Sequence, residues 1–228
     1  MGIQQFLGYY LDKEQKVLSL MGPSGTGKSF SASFLQEFMG YKIARQITTR
    51  DPRPDDVHYN YMSREDFIRL ERDGKILGVF AGDRESLQGN GYGYLCEELM
   101  DEISTDSRII LFPSAFELDK SDFIKQYGTT DKIGLAFKDS QSVRSRAEQC
   151  GKVLSENEVI ARIRNAEMLT HLMEKYNRTN DPNFHLIYSD NPDETLSESK
   201  ARQLKKIVSY LGQDSKEMES NIEEYISR

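Results

Sequence analysis

The stretch Val17-Leu-Ser-Leu-Met-Gly-Pro-Ser-Gly-Thr-Gly-Lys-Ser29 decides the fold. Its first part, 17–21, is a short apolar run typical of a buried strand. Residues 22–29 fit the pattern G-x-x-x-x-G-K-[ST] and lead into a segment in which Phe30, Phe34 and Phe38 recur at helical spacing. A strand, a glycine-rich turn and a helix in this order predict a loop that wraps a phosphate group.

The residue types in this loop suit the phosphates of a nucleotide. Glycines allow backbone N–H groups to curl around a phosphate, and the helix that follows adds its positive N-terminal end. Lys28 is expected to reach the β- and γ-phosphates and to act catalytically, and the Ser29 hydroxyl is expected to bind Mg²⁺. We therefore predict that ATP and Mg²⁺ bind at Gly22, Pro23, Ser24, Gly25, Thr26, Gly27, Lys28 and Ser29.

Composition limits the partners of the chain. Hydrophobic residues make up 37% and charged residues 29%, as in ordinary globular proteins, and the net charge is −7. A negative chain starts from repulsion against nucleic acid or an anionic membrane, so neither is an expected partner. The two cysteines, Cys96 and Cys150, are too few for a disulfide framework and favour a cytoplasmic protein. We expect a monomer or a homodimer.

Apolar segments alternate with amphipathic ones, which predicts an α/β protein with a mostly parallel sheet. A capping box, Ser155 with Glu158, marks one helix start, and Asn191 followed by Pro192 suggests another. Gly40 is placed to end the helix after the glycine-rich loop. The predicted strands are 17–21, 41–46, 108–112, 132–137 and 184–189, and the predicted helices are 94–105, 140–149, 156–176 and 192–211.

Residues 47–93 interrupt this alternation with prolines, glycines, charges and tyrosines, and they contain one helix signal at 64–72. We expect a single domain over 1–228, with a core of 16–46 and 94–211 and an inserted subdomain at 47–93. Residues 1–16 carry apolar side chains that would dock on the body. The tail after 211 is either a short helix that uses Ile222, Tyr225 and Ile226 or a frayed end.

A second cluster of chemistry-bearing residues lies in the insertion. Thr48-Thr49-Arg50-Asp51-Pro52-Arg53 precedes Tyr59-Asn60-Tyr61, and Gly89-Asn90-Gly91-Tyr92-Gly93 follows. Arginine offers a planar fork of donors to phosphate oxygens, and tyrosine adds a neutral donor. The cluster favours a small phosphate-bearing acceptor, a nucleotide or a sugar phosphate. The alternative is a solvated loop that happens to be charged.

The order of these motifs over about 16–210 resembles the guanylate kinase family. The resemblance implies a P-loop NTPase three-layer fold with an acceptor-binding insertion and a short lid at about 150–157. It implies phosphate contacts to the acceptor from Arg50, Arg53, Tyr59 and Tyr92. It also implies that Arg146, Ser189 and Asp190 lie near the adenine of ATP and that Arg162 points at the transferred phosphoryl group.

The chain departs from the family pattern in four places. Gln46 replaces a serine, Gly78 stands near the position of a guanine-reading glutamate, no acid follows the strand that leads to Ser114, and Cys150 replaces a lid arginine. A carboxylate is the natural acceptor for the N–H edge of guanine, so the missing acids are expected to weaken the recognition of guanine over other bases.

Three functions stay open at this point. The chain phosphorylates GMP, with Asp83, Glu85 or Glu117 replacing the missing acids; it phosphorylates another acceptor such as ribose 1,5-bisphosphate; or it has lost catalysis and binds proteins. The intact Lys28 and Ser29 pair favours a kinase.

Overall fold

The computed structural model describes residues 17–52, 58–83, 88–104, 108–113, 131–139, 142–149, 155–191 and 193–228, with only the backbone at 79–83, 88, 104 and 147–149. The predictions made for residues 1–16 and for most of the lid lie outside these ranges. The strands are β1 Val17–Met21, β2 Tyr41–Ile43, β3 Gln46–Thr48, β4 Tyr59–Tyr61, β5 Ile76–Asp83, β6 Gln88–Leu95, β7 Arg108–Leu111, β8 Asp131–Ala136 and β9 Phe184–Tyr188. The helices are α1 Lys28–Met39, α2 Arg64–Arg72, α3 Cys96–Ser104, α4 Ser142–Gln149, α5 Glu156–Asn177, α6 Leu196–Tyr210 and α7 Lys216–Ser227.

Five strands form a sheet in the order β2-β7-β1-β8-β9. The pairings of β1 with β7, β2 with β7 and β8 with β9 are parallel, as predicted. Every residue of β1 is buried, as are Ile109, Ile110 and Leu111 of β7. Parallel sheets are covered on both faces, which explains why these strands read as continuous apolar runs.

Four further strands form a second sheet in the order β4-β3-β6-β5. An antiparallel pair, β5 with β6, runs from Ile76 opposite Leu95 to Asp83 opposite Gln88. Helix α2 buries Phe67 against Ile47 and Ile76. The segment predicted as an insertion, 47–93, thus supplies almost all of this sheet.

The predicted strand 41–46 is wrong in its extent because the chain changes sheets within it. Ala44 N still donates to Ile110 O of β7 at 3.0 Å, whereas Gln46 N donates to His58 O at 2.8 Å next to β4. Two short strands, β2 and β3, therefore replace the one predicted strand.

The predicted start of α6 at 192, after Asn191, is also wrong. The helix begins four residues after Pro192, with Thr195 as its N-cap. Glu198 N donates to the Thr195 hydroxyl at 3.3 Å, and Thr195 N donates to the Glu198 carboxylate at 2.8 Å. This capping box satisfies two orphan donors of the first turn, which explains why the helix starts there.

Of the two alternatives for the C-terminal segment, the structure has the helix, α7. It buries Ile222 and packs Tyr225 in tilted and edge-on contact with Phe30, Phe34 and Phe38 of α1, with ring centroids 5.1, 5.4 and 6.0 Å apart. Helix α1 ends at Met39 before Gly40, as predicted, and Gly40 has a φ of 68°.

The described residues fall into two compact units. One contains residues 17–19 and 40–131, and the other contains 20–39 and 132–228. Across the described ranges, no helix combines the length and apolar character that crossing a membrane requires.

Candidate functional site

The loop between β1 and α1 has a backbone that only glycine adopts easily. Gly22, Gly25 and Gly27 have φ values of 143°, 91° and 86°. A Cβ atom at Gly22 would lie 2.0 Å from Leu135 O of β8, so no other residue fits there. The loop therefore keeps its backbone N–H groups free of side chains, as a phosphate cradle requires.

Lys28, the first residue of α1, lies folded back over this loop. Its Nζ donates to Gly22 O at 2.6 Å and to Pro23 O at 2.8 Å. Part of the side chain is exposed, yet the atoms surrounding the ammonium desolvate it and lower its pKa to about 8. Both acceptors are neutral carbonyls, and an anionic phosphate oxygen is a stronger acceptor for an ammonium.

The other residues of the loop have distinct surroundings. Thr26 is buried, and its hydroxyl donates to Pro23 O at 2.9 Å, which closes the turn. Ser24, Gly25 and Ser29 are exposed. Ser29 lies in the first turn of α1, where its hydroxyl is accessible to a metal ion held by phosphates.

Arg146 of α4 lies at the rim of a pocket of about 140 Å³. Its Nη2 donates to Ser189 O at 2.7 Å and to the Ser199 hydroxyl at 3.0 Å. The pocket is also lined by Asp190 and Thr195. Of the predicted residues, Arg146 and Asp190 thus line one small polar cavity, and Ser189 contacts it through its hydrogen bond from Arg146.

Asp190 is engaged by the protein itself. Its carboxylate accepts from Lys138 N at 2.5 Å, Asp139 N at 3.0 Å and the Ser142 hydroxyl at 2.6 Å. These bonds fix the segment that follows β8 and the start of α4. The predicted contact of Asp190 with a nucleotide base stays a prediction.

Arg162 and Arg164 lie on α5, which starts with the predicted capping box of Ser155 and Glu158. Between the two arginines, Ile163 packs on the cluster of Phe137, Val143 and Ala166. Arg162 is half-buried and Arg164 is exposed, so the two arginines differ in their surroundings.

Arg50 lies two residues after the second-sheet strand β3 and is 8% exposed. Its guanidinium carbon lies 4.6 Å from the centroid of the Tyr59 ring, and its Nη1 donates to Asp51 O at 3.0 Å. Tyr92 of β6 pairs with Thr48, two residues before Arg50. The strands of Tyr59 and Tyr92 therefore flank β3, and Arg50 follows β3 by two residues. Arg53 is outside the described residues.

Two positions where the chain departs from the family have structural roles. The buried Gln46 side chain donates from Nε2 to Phe112 O at 2.9 Å. Gly78 has a φ of 155°, and a Cβ atom there would lie 2.3 Å from Tyr92 O. A carboxylate side chain therefore does not fit at 78. Asp83 has only its backbone described, and Ser114, Glu85, Glu117 and Cys150 lie outside the described residues.

Sequence reasoning missed Ser199 and Gln203 of α6. Ser199 donates to Ser189 O at 2.6 Å, and Gln203 Nε2 donates to the Ser31 hydroxyl of α1 at 2.8 Å. Gln203 and Ser31 are 172 positions apart in the chain, so no local pattern indicates the contact.

Comparison with known proteins gives relatives of one kind, although no family model matches the chain. The guanylate kinase of Fusobacterium nucleatum is 25% identical over 162 residues, which are 69% of this chain and 82% of that protein. A guanylate kinase of Helicobacter pylori is 37% identical over 71 residues, 29% of this chain and 34% of that protein. The structure of guanylate kinase from Anaplasma phagocytophilum superposes with a TM-score of 0.53 and 18% identity, covering 93% of this chain and 94% of that chain.

The structural match confirms the predicted P-loop NTPase fold with its central parallel sheet. In sequence and in fold the chain is thus similar to guanylate kinases, at low overall identity.

Proposed function

We propose that the chain is an ATP-dependent phosphotransferase that acts on a small phosphate-bearing acceptor. The observation that carries the proposal is the glycine loop with Lys28 at the N-terminus of α1. Three glycines with positive φ keep the loop backbone open, and the Lys28 ammonium is bound only 2.6 and 2.8 Å from two loop carbonyls that a phosphate would outcompete. A binding module without catalysis has no physical need for this arrangement.

The residues of the loop fit a triphosphate and its metal ion. The side-chain-free backbone and the positive end of α1 suit the β-phosphate, Lys28 suits the β- and γ-phosphates, and the exposed Ser29 hydroxyl suits Mg²⁺. When bound, Mg²⁺ neutralises charge on the phosphates. Arg146 and Asp190 line the pocket that we assign to the base of ATP, and Ser189 O accepts from Arg146.

We propose GMP as the acceptor because the relatives are guanylate kinases. In this proposal the acceptor phosphate binds Arg50, Arg53, Tyr59 and Tyr92. A specific observation favours a second candidate, a sugar phosphate such as ribose 1,5-bisphosphate. Gly78 leaves no room for a side chain that would read guanine, and a sugar has no such edge to read.

The proposed reaction forms a bond between an acceptor oxygen and the γ-phosphorus and breaks the bond to the oxygen that bridges the β- and γ-phosphates. An ionised acceptor phosphate needs no general base, whereas a sugar hydroxyl does. Lys28 and Arg162 would stabilise the charge that spreads over the transferred group, which is the main task of a protein in phosphoryl transfer.

The test measures ADP release from ATP and Mg²⁺ with GMP, dGMP, AMP, CMP, UMP and ribose 1,5-bisphosphate in turn. We expect turnover with one of them and none in Lys28→Ala, whose melting temperature serves as the control for folding. The acceptor that responds decides between the two candidates. Activity retained in a folded Lys28→Ala would refute the assignment of the phosphate cradle.

If the wild type releases no ADP with any of these acceptors but still binds GMP in calorimetry, the chain would instead be a binding module. For the acceptor site, Arg50→Lys keeps the charge but loses the planar fork. We expect it to raise the acceptor KM about tenfold or more and to leave the ATP KM unchanged. An equal rise in both KM values would exclude Arg50 from the acceptor site.

A further inference from the structure

Helix α6 contacts both parts of the proposed ATP site, the base pocket and the glycine loop, through two side chains one turn apart. Ser199, which is 2% exposed, accepts from Arg146 Nη2 at 3.0 Å and donates to Ser189 O at 2.6 Å, at the base pocket. Gln203, which is 3% exposed, donates from Nε2 to the Ser31 hydroxyl at 2.8 Å, behind the glycine loop.

Gln203 also contacts the loop itself. A Cβ atom at Gly27 would lie 2.9 Å from Gln203 Nε2 and 3.5 Å from Oε1, so the amide lies directly against the Gly27 backbone. Gly27 has a φ of 86°, and its carbonyl accepts from Ser31 N at 2.9 Å in the first turn of α1. The amide therefore contacts both ends of this turn, Gly27 by packing and Ser31 by its hydrogen bond.

A core position does not require this amide. The buried residues of α6 that follow it, Leu204, Ile207 and Val208, are apolar, and a buried amide stabilises the fold only where it is hydrogen-bonded. A hydrogen bond fixes direction and distance, whereas apolar packing tolerates small shifts. The polar side chain at 203 thus does more than fill space, because it restricts the position of the loop.

We infer that Gln203 is a positioning residue for the phosphate cradle, which holds the Gly27 turn and the start of α1 where Lys28 and the loop N–H groups meet the phosphates. Ser199, four residues earlier on the same helix face, holds Arg146 in the same way at the base pocket. Helix α6 therefore sets the spacing between the two parts of the ATP site. This inference rests on the proposed function.

The experiment compares Gln203→Met, which keeps the length of the side chain but loses the amide, with Lys205→Met on the exposed side of α6. Calorimetry measures the binding of ATP and of tripolyphosphate, each with Mg²⁺, to the full chain. We expect Gln203→Met to weaken both about fivefold to tenfold, the worth of one hydrogen bond, and Lys205→Met to change neither. The ATP KM should rise by the same factor while the acceptor KM stays unchanged, which general destabilisation would not produce.

Ser31→Ala removes the partner of the amide with a smaller change, and it decides the question if Gln203→Met fails to fold. The double variant should bind no more weakly than either single variant, because both changes remove one hydrogen bond. Binding of tripolyphosphate within twofold of wild type in a folded Gln203→Met, or in Ser31→Ala, would overturn the inference. Failure of the wild type to bind ATP or tripolyphosphate would refute the proposed function instead.

Discussion

The protonation of Lys28 makes ATP binding sensitive to pH. In the free protein, desolvation lowers the pKa of Lys28 to about 8. A bound phosphate stabilises the ammonium and raises this pKa again, so the complex keeps the proton at a pH where the free protein has lost it. Binding therefore takes up a proton above about pH 8, and affinity falls as pH rises.

The magnitude follows from the fraction of Lys28 that is protonated. At about pH 7 the group is almost fully charged, and at about pH 9 roughly one molecule in ten remains charged, so the Kd for ATP should rise about tenfold between these values. Calorimetric titration with ATP and with tripolyphosphate measures this change. Both titrations contain excess Mg²⁺, which stabilises the fully ionised terminal phosphate and lowers its pKa, so titration of the ligands themselves contributes little.

Lys28→Arg is the matched control because a guanidinium stays charged over the whole range. Its Kd should be independent of pH. A wild-type Kd that changes less than about twofold between pH 7 and pH 9, or an equal change in Lys28→Arg, would refute the reasoning. The free energy of unfolding of the ligand-free protein should instead rise with pH. Between about pH 8 and pH 10.5 the folded state holds fewer protons at Lys28 than the unfolded state, so raising the pH favours folding.

Two further predictions concern stability. Asp181→Asn should cost about 1.5–3 kcal/mol in urea unfolding, because the fully buried Lys132 Nζ, 3.3 Å from Asp181, would lose a charged contact; an unchanged midpoint would contradict this. In the wild type, burial tends to raise the pKa of Asp181, but its hydrogen bonds and the charge of Lys132 outweigh burial and lower that pKa. The ion pair therefore stabilises the fold above the ordinary carboxyl pKa, and this stability is lost as pH falls through the lowered pKa of Asp181. Tyr225→Ala should cost about 2–3 kcal/mol because it removes ring contacts to Phe30 and Phe34, and a loss below about 0.5 kcal/mol would show that α7 is not held by this residue.

Local chemistry explains the parts of the molecule that could be predicted from the sequence. The step from β1 through the glycine loop to α1 follows from an apolar run, positive-φ glycines and a helical pattern that are contiguous in the chain. The capping box at Ser155 is equally local. The alternation of apolar and amphipathic segments predicted the parallel sheet, and the family resemblance added the grouping of Arg146 with Ser189.

The remaining features depend on contacts that no short window contains. Residues 41–46 have the composition of one strand, yet the first part of the segment hydrogen-bonds to β7 and its last residue to the residue before β4. Pro192 suggested a helix start, but the reciprocal bonds of Thr195 and Glu198 stabilise a later one. The role of Gln203 is visible only once Ser31 and Gly27 lie beside it.

The docking of Tyr225 on α1 has a consequence for biosynthesis. Its hydroxyl meets Phe30 O across 195 positions of the chain. At a translation rate of about 5–20 residues per second, roughly 10–40 s pass between the emergence of the two partners from the ribosome. During that interval the aromatic face of α1 has nothing from α7 to cover it, so a nascent chain stalled before residue 216 should be captured by a chaperone that binds exposed aromatic helices.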